Sequence, residues 1–319
     1  MKSFWQKLPK PFTVLAPMEG ATDVVFREII TSVGKPDVFF TEFTNVGGIM
    51  SKGREKVSQS LKFTKDQKPI VAQIWGTSPD LYKGAAEYCK SLGFDGIDIN
   101  MGCPIDTVVK KGACSALINN HALAKEIIDA TKTAGLPVSV KTRIGFSSIV
   151  IEEWVGFLLS QNLDALTVHL RTAEEMSKAD AHWELMPQII ALRDRISPNT
   201  LIIGNGDIQT FEDVEDKYKE YKCDGFMIGR GALANPWVFN KSIDLNKISP
   251  KERLDLYLKH INLFLETWKK DKNPESLKRF SKTYVNNFPD ATHLRNRINL
   301  SKNTDEIIEI IGEYKNNLS

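Results

Sequence analysis

Cys223-Asp-Gly-Phe-Met-Ile-Gly-Arg-Gly231 is the stretch that decides the fold. Its centre, Phe226-Met-Ile228, is apolar and bracketed by glycines. A run that short, bounded by turn residues, reads as a strand covered on both faces. Working back along the chain, seven more runs of the same kind precede it. They are "FTVLAPM" (12–18), "DVFFTEF" (37–43), "PIVAQIWG" (69–76), "DGIDINMG" (95–102), "PVSVKTRIG" (137–145), "DALTVHLR" (164–171) and "TLIIGNGDI" (200–208). Helical patterns lie between them. "SPDLYKGAAEYCKSLG" opens on Ser78-Pro79, a cap followed by proline at the first helical position, and ends in Gly93. "HALAKEIIDATKTAG" ends in Gly135 in the same way. Segments 151–162, 184–196 and 210–221 read similarly. Eight strands alternating with helices, within the usual span of about 250 residues, make an α/β fold of the (β/α)8 TIM-barrel type. A doubly wound open sheet is the rival, and the 223–231 strand favours the barrel because it completes the set with nothing left over.

Past about residue 242 the strand pattern stops. "SPKERLDLYLKHINLFLETWKK" is amphipathic and starts on the cap signal Ser249-Pro250. Further helical segments follow, to "NTDEIIEIIGEYKNN". The expected organisation is a barrel over 1–241 and a small C-terminal helical bundle over 242–319. No internal repeat or low-complexity tract interrupts either part.

The bulk composition is that of an ordinary soluble chain, 42% hydrophobic and 26% charged. No apolar run reaches the ~18 residues that would suggest a membrane span. The first residues, "MKSFWQKLPKPF", lack the apolar centre of a secretory signal and read as an irregular start before the first strand. Cys89, Cys103, Cys114 and Cys223 form no C-x-x-C pair and no zinc spacing with histidine. They read as reduced thiols of a cytoplasmic protein, with no metal expected. A monomer is expected.

In a parallel barrel the active site lies at the carboxyl ends of the strands. Those ends carry Pro17-Met18-Glu19-Gly20, then Gln73, Asn100 with Cys103, and Lys141 with Arg143. They continue with His169 and Arg171, Asn205-Gly206-Asp207, and Gly229-Arg230-Gly231. A lone histidine or a glycine turn there means little. Lys141 is more telling, because a charge inside "VSVKTRIG" is costly to bury unless paired. The glycine turns after the seventh and eighth strands occupy the usual phosphate position of barrels, and Arg230 would add charge-assisted bonds. Lys141 and His169, nearer the axis, suit a delocalised anion such as the N1–C2=O edge of a reduced flavin. Gln73 can donate and accept, which suits a pyrimidine-like edge. A phosphate at one side and a ring over the strand ends outline FMN.

Six ordered motifs at successive strand ends carry a resemblance: "LAPMEGATD", "DINMGCP", "VKTRIG", "VHLRT", "GNGDI" and "GRGALANPW". Together they resemble the tRNA-dihydrouridine synthases, flavoenzymes with an FMN barrel and a helical tail domain. The likeness runs from about residue 13 to 240 and more weakly through "LKRFSKTYVNNFPDATHLRNRI". It implies reduction of the C5–C6 double bond of a uridine in tRNA. Reduced FMN would give hydride to C6, NADPH or NADH having reduced it, and Cys103 would protonate C5. It implies that Asn100 and Arg143 hold the uracil edge. FMN would lie against Pro17, Met18, Gln73, Lys141, His169, Asn205, Gly206, Asp207, Gly229 and Arg230. No dinucleotide fingerprint is present, so the nicotinamide would bind transiently. Gly102 reads as room for a ring to approach the backbone, and Lys141 as a cation that lowers the Cys103 pKa. Two departures touch the substrate side: Leu170 stands between His169 and Arg171, and Met176-Ser177 stands where many members carry Gly-Tyr. The alternatives are a dihydroorotate dehydrogenase-like FMN barrel and a non-catalytic RNA-binding barrel.

A tRNA partner needs basic surface. Between residues 269 and 302 nine lysines and arginines face three acidic residues, a net of six positive charges. Phe280, Tyr284 and Phe288 are interleaved and read as core, leaving the charges as the RNA face. Arg295 and Arg297 are the expected contacts, and the basic loop 51–68 could flank the RNA.

Overall fold

The computed structural model describes residues 3–318. Eight parallel strands close on themselves: β1 (Phe12–Leu15), β2 (Val38–Phe40), β3 (Ile70–Trp75), β4 (Gly96–Met101), β5 (Val138–Arg143), β6 (Ala165–His169), β7 (Leu201–Asn205) and β8 (Gly225–Ile228). Each pairs with the next in sequence, and β8 pairs with β1 through Phe12–Gly225 and Leu15–Ile228. That last pairing closes the barrel and excludes the open sheet. The strands are shorter than the apolar runs that announced them, because the polar residues at their ends turn out of the ladder.

Side chains alternate along each strand, and paired residues on neighbouring strands share a face. The inward set therefore changes character along the axis. At the strand starts Phe12, Val14, Val38, Phe40, Val71 and Leu201 form one apolar cluster. Trp5 joins it, almost fully buried, with its ring 5.9 Å from Phe12 and 6.3 Å from Phe40. The N-terminal segment is thus not an irregular start. It is a 3-10 turn, Phe4–Lys7, that places an indole in the core. Toward the strand ends the inward positions become polar: Gln73 pairs with Asp98, and Asn100 with Lys141 and, through it, Thr167.

The helices α2 (Pro79–Ser91), α3 (His121–Lys132), α4 (Gly156–Leu159, after a π-helical turn Ile151–Val155), α5 (Met186–Ile196) and α6 (Phe211–Tyr221) separate the strands from β3 onward. They follow α1 (Val24–Val33). Thr210 and Asp213 cap α6 reciprocally. Ser78 stands at the N-cap of α2, but its side chain makes no capping bond.

The chain divides into two compact units. The first holds the barrel through Gly229; the second joins residues 25–35 to the chain from Arg230 onward. The division falls earlier than the expected 241/242 and includes nearly all of α1. The cause is long-range packing within the second unit. Phe26 stacks on Phe280 at 5.5 Å and lies 5.9 Å from His260, and Asn240 Nδ2 donates to the Val33 carbonyl at 2.9 Å.

The rest of that unit is helical: α7 (Arg230–Ala234), α8 (Pro250–Trp268), α9 (Ala291–Leu300) and α10 (Thr304–Asn316). The N-cap expected at Ser249 forms, and Glu252 completes it as a capping box. Phe280 and Tyr284 are buried, and the Tyr284 hydroxyl bonds His260 Nδ1 at 2.8 Å. Phe288 is only half-buried and lies 5.8 Å from Tyr314. Among the described residues no helix is long and apolar enough to cross a membrane.

Candidate active site

The ends of β3, β4 and β5 are joined by one directed chain of hydrogen bonds. Asn100 Oδ1 accepts the backbone N–H groups of Gly102 (3.1 Å) and Cys103 (3.0 Å), an Asx-type turn that fixes the loop bearing the thiol. Its Nδ2 donates to Gln73 Oε1 at 3.1 Å. Gln73 Nε2 donates to Asp98 Oδ2 at 2.8 Å, and Ser139 donates to the other oxygen at 2.6 Å. While ionised, Asp98 only accepts, and in that state it dictates the sense of both amides. Asp98 is fully buried; burial raises its carboxyl to about 7, against the pull of Ser139, Gln73 and Lys141.

Gln73 and Asn100 were expected at the ligand. Both first serve this chain, each with one amide N–H outside it.

Lys141 stands beside Asn100 on β5, half-buried. Burial, and then the nearby Arg143 charge, push its ammonium down to about 8. Arg143 is almost fully buried and clamps the rim. Its Nε donates to the Gly102 carbonyl at 2.8 Å, and its Nη1 to those of Thr172 (2.7 Å) and Met176 (3.0 Å). Burial and then Arg171 lower its guanidinium to about 10. Met176 adopts a left-handed φ of 53°, a conformation glycine would take without strain.

Gly102 is close to β5 on its Cβ side. A Cβ there would lie 3.2–3.3 Å from the backbone of Lys141 and Thr142, so glycine serves the approach of β4 to β5.

Cys103 is half-buried at the end of β4, and its thiol is lowered to about 7. The first cause is not Lys141. It is the neighbouring Cys114 thiol; burial opposes it, and the Ile105 N–H and Lys141 assist. Sequence reasoning missed Cys114, which gave no sign beyond being a cysteine in a short loop of small residues.

The other side of the rim is built on Arg171, which the sequence placed at a strand end without a role. It is 2% exposed. Its Nε donates to the Ala179 carbonyl (2.6 Å), Nη2 pairs with Asp207 (2.5 Å), and Nη1 lies 3.1 Å from His169 Nε2. Asp207 Oδ2 also accepts the Ala181 N–H at 2.8 Å. Asn205 pairs with His169 in the ladder, and its Nδ2 donates to the Met227 carbonyl at 2.8 Å. Gly206 takes a φ of 130°; a Cβ there would meet Ala181 at 2.7 Å and His169 at 3.4 Å.

Gly229 lies beside Met18, whose Sδ would be 3.5 Å from an added Cβ. Pro17 and Met18 are half-buried, and the Met18 N–H is taken by Thr22 Oγ1 at 2.8 Å. Arg230 is exposed and opens α7 in the second unit. Leu170 is fully buried, its N–H on the Asn205 carbonyl at 3.0 Å. Among the described residues no cluster fits a metal ion.

A closed parallel barrel whose strand ends gather a tuned thiol, a lysine, a histidine and buried arginines is that of a (β/α)8-barrel enzyme. The chain belongs to the dihydrouridine synthase (Dus) family, which it matches over residues 14–318. It is 45% identical over 317 residues to "Probable tRNA-dihydrouridine synthase 2" of Bacillus subtilis (strain 168), covering 98% of this chain and 97% of that one. It is 43% identical over 318 residues to "Probable tRNA-dihydrouridine synthase" of Staphylococcus aureus (strain COL), covering 98% and 96%. Among solved structures, the 6-hydroxypseudooxynicotine amine oxidase of Pseudomonas geniculata N1 aligns with a TM-score of 0.54 at 14% identity, over 72% of this chain and 46% of that one. Histamine dehydrogenase from Rhizobium sp. 4-9 gives 0.52 at 11%, over 79% and 48%. At such identity the likeness is one of fold.

Proposed function

We propose that the protein reduces the C5–C6 double bond of uridines in tRNA, with FMN as cofactor and NADPH or NADH as electron donor. The observation that carries this reading is the half-buried Cys103 thiol, tuned to about 7, at the mouth of a barrel that belongs to the dihydrouridine synthase family. An acid with a pKa near the working pH is suited to give a proton and recover it.

The interior has a feature that fits a flavin. Thr167 Oγ1 is buried beside Lys141 in the ladder and has no hydrogen-bond partner. An orphaned hydroxyl at the polar end of a barrel suits a polar ring edge. Lys141, His169, Thr167 and the free amide N–H of Gln73 would hold the cofactor's ring, and the turns at Gly206 and Gly229 its phosphate side. FMN, when bound, would supply the hydride for C6 of the uracil. Cys103 gives its thiol proton to C5 and is left as thiolate. Arg143 Nη2, outside the three carbonyl bonds, faces negative charge developing on a uracil carbonyl. Asn100 orients the edge with its second N–H while its Oδ1 keeps Cys103 in place.

The helical chain after Arg230 is the proposed tRNA-contacting bundle. Lys269, Lys270, Arg279, Lys282 and Lys302 are exposed there. Arg295 and Arg297 are less free than expected, bonded to the Val285 carbonyl and to Glu313. An open groove of about 770 Å³ runs past Asn286, Phe288, Asp290, His293, Arg295 and Asn296, a mixed lining that includes one carboxylate.

Mapping dihydrouridine in tRNA from a strain lacking the gene, with and without a plasmid copy, tests the proposal. Loss and restoration of dihydrouridine at defined positions is expected. An unchanged tRNA profile in the deletion strain would refute it.

A further inference from the structure

We propose that His182 is a positioning residue for this reaction: bonded to a carboxylate at each ring nitrogen, it holds through Glu175 the loop whose carbonyls fix Arg143. This role rests on the reading of Arg143 as a group that meets the uracil.

The loop over residues 172–182 follows β6 and is tied to the barrel mouth by two buried arginines. Arg143 Nη1 donates to the Thr172 and Met176 carbonyls at 2.7 and 3.0 Å, and Arg171 Nε to that of Ala179 at 2.6 Å. Glu175 builds the turn between the first two. Its Oε2 accepts the Thr172 N–H at 2.6 Å, its own N–H donates to Thr172 Oγ1 at 3.3 Å, and its carbonyl accepts the Lys178 N–H at 2.8 Å. The other carboxylate oxygen, Oε1, lies 2.8 Å from His182 Nε2. On the far side of the ring, His182 Nδ1 lies 3.1 Å from Glu184 Oε1. The contacts therefore run from Glu184 through His182, Glu175 and Thr172 to Arg143.

Both ring nitrogens face carboxylate oxygens, which only accept. A neutral imidazole has one N–H and one lone pair, so it satisfies one carboxylate and repels the other. Only the imidazolium donates to both. The bond to Glu175 raises His182 above its ordinary 6.5; burial opposes the shift and Glu184 assists it. Behind these acids, Arg143 of β5 acts on Glu175, and Tyr221 of α6 stands near Glu184. Arg171 and Asp207 meet the loop at Ala179 and Ala181 and pair with each other. A raised folded value means that the hold is complete below about 6.5 and is lost as pH rises through the folded value. Loss of the proton sets a lone pair against a carboxylate, and the turn that carries the Thr172 and Met176 carbonyls loosens.

The test is amide hydrogen exchange of the full-length protein between about pH 6 and 9, read by mass spectrometry on peptides covering 172–178 and corrected for intrinsic exchange rates. Wild-type protection there should fall about tenfold, the order for one hydrogen bond to a charged group, with a midpoint above 6.5. His182→Gln should be low and flat, because its amide oxygen would face one of the two carboxylates. Glu184→Gln, at an exposed position, should do the opposite. Its amide N–H can donate to the lone pair of a neutral His182, so protection should stay high across the range. A wild-type profile without a step would overturn the inference. So would a Glu184→Gln variant as loose as His182→Gln, the result a merely structural contact would give. At about pH 6.5, His182→Gln should raise the KM for tRNA severalfold and leave NADPH-driven flavin reduction unchanged. A loosened loop with an unchanged KM would overturn the positioning role. Absence of dihydrouridine from the wild type would instead refute the reading of the site on which it rests.

Discussion

Asn100→Ala should loosen the barrel mouth by an amount that can be worked out. The substitution removes three hydrogen bonds: the Gly102 and Cys103 N–H groups lose their acceptor, and Gln73 Oε1 loses its donor. Gly102 and Gln73 are buried, and each stranded group costs about 1–3 kcal/mol. The Cys103 N–H is half-exposed, so water can take over part of its loss, and it adds little. The total is about 3 kcal/mol, roughly a hundredfold in a local opening equilibrium. Amide hydrogen exchange read by mass spectrometry on peptides covering β4 and β5 is the assay. About hundredfold faster exchange is expected there, with little change in α10. Asn100→Asp makes the cause visible: it keeps the turn's acceptor but sets a carboxylate oxygen against Gln73 Oε1. Its loss should be severe at neutral pH and partly relieved in acid, where a protonated carboxyl can donate. Protection in Asn100→Ala within a factor of two of wild type would refute the directed chain and return Asn100 to a purely ligand-binding role.

Gly102→Ala forces a Cβ to 3.2–3.3 Å from the β5 backbone and should destabilise the barrel by about 1–3 kcal/mol, seen as a lower urea midpoint. Turnover limited by the proton step should fall as pH rises through about 7, because Cys103 must be protonated to act; a rate that climbs through that range would contradict the assignment. Affinity for tRNA should fall steeply between 50 and 200 mM salt, on the order of tenfold or more for a few phosphate contacts. Lys282→Glu, at an exposed lysine, should weaken binding more than Arg297→Glu, whose guanidinium is already paired with Glu313; the reverse order, measured by filter binding, would place the RNA face elsewhere.

The barrel was legible because its strands announce themselves locally. Continuous apolar runs ending in polar turns can be read one at a time, and the run at 223–231 supplied the eighth. Features set by contacts between distant residues were not legible. Trp5 lies in a segment without pattern, yet the open end of the barrel core takes it in. Residues 25–35 follow β1 in sequence but join the second unit through Phe26 and Val33.

At the site the residue types were readable and their bonding was not. Gln73 and Asn100 could be singled out as polar groups at strand ends, but the Asp98 that orders them, level with Gln73 in the ladder, gave no sign of its bonding. Asp207 read as a phosphate-side residue, and its pairing with Arg171 across the β6 and β7 ends was not legible. The lowered thiol was foreseen with the wrong principal cause, because only the fold brings the Cys114 loop against the Cys103 turn.

The central claim is that Cys103 protonates a tRNA uridine reduced in this barrel. The direct measurement is dihydrouridine formed in unmodified tRNA by purified protein with FMN and NADPH, compared between wild type and Cys103→Ala. The wild type should form it, and the variant should not, while still binding FMN and oxidising NADPH. Equal product from the two proteins, or none from the wild type with flavin bound, would contradict the account.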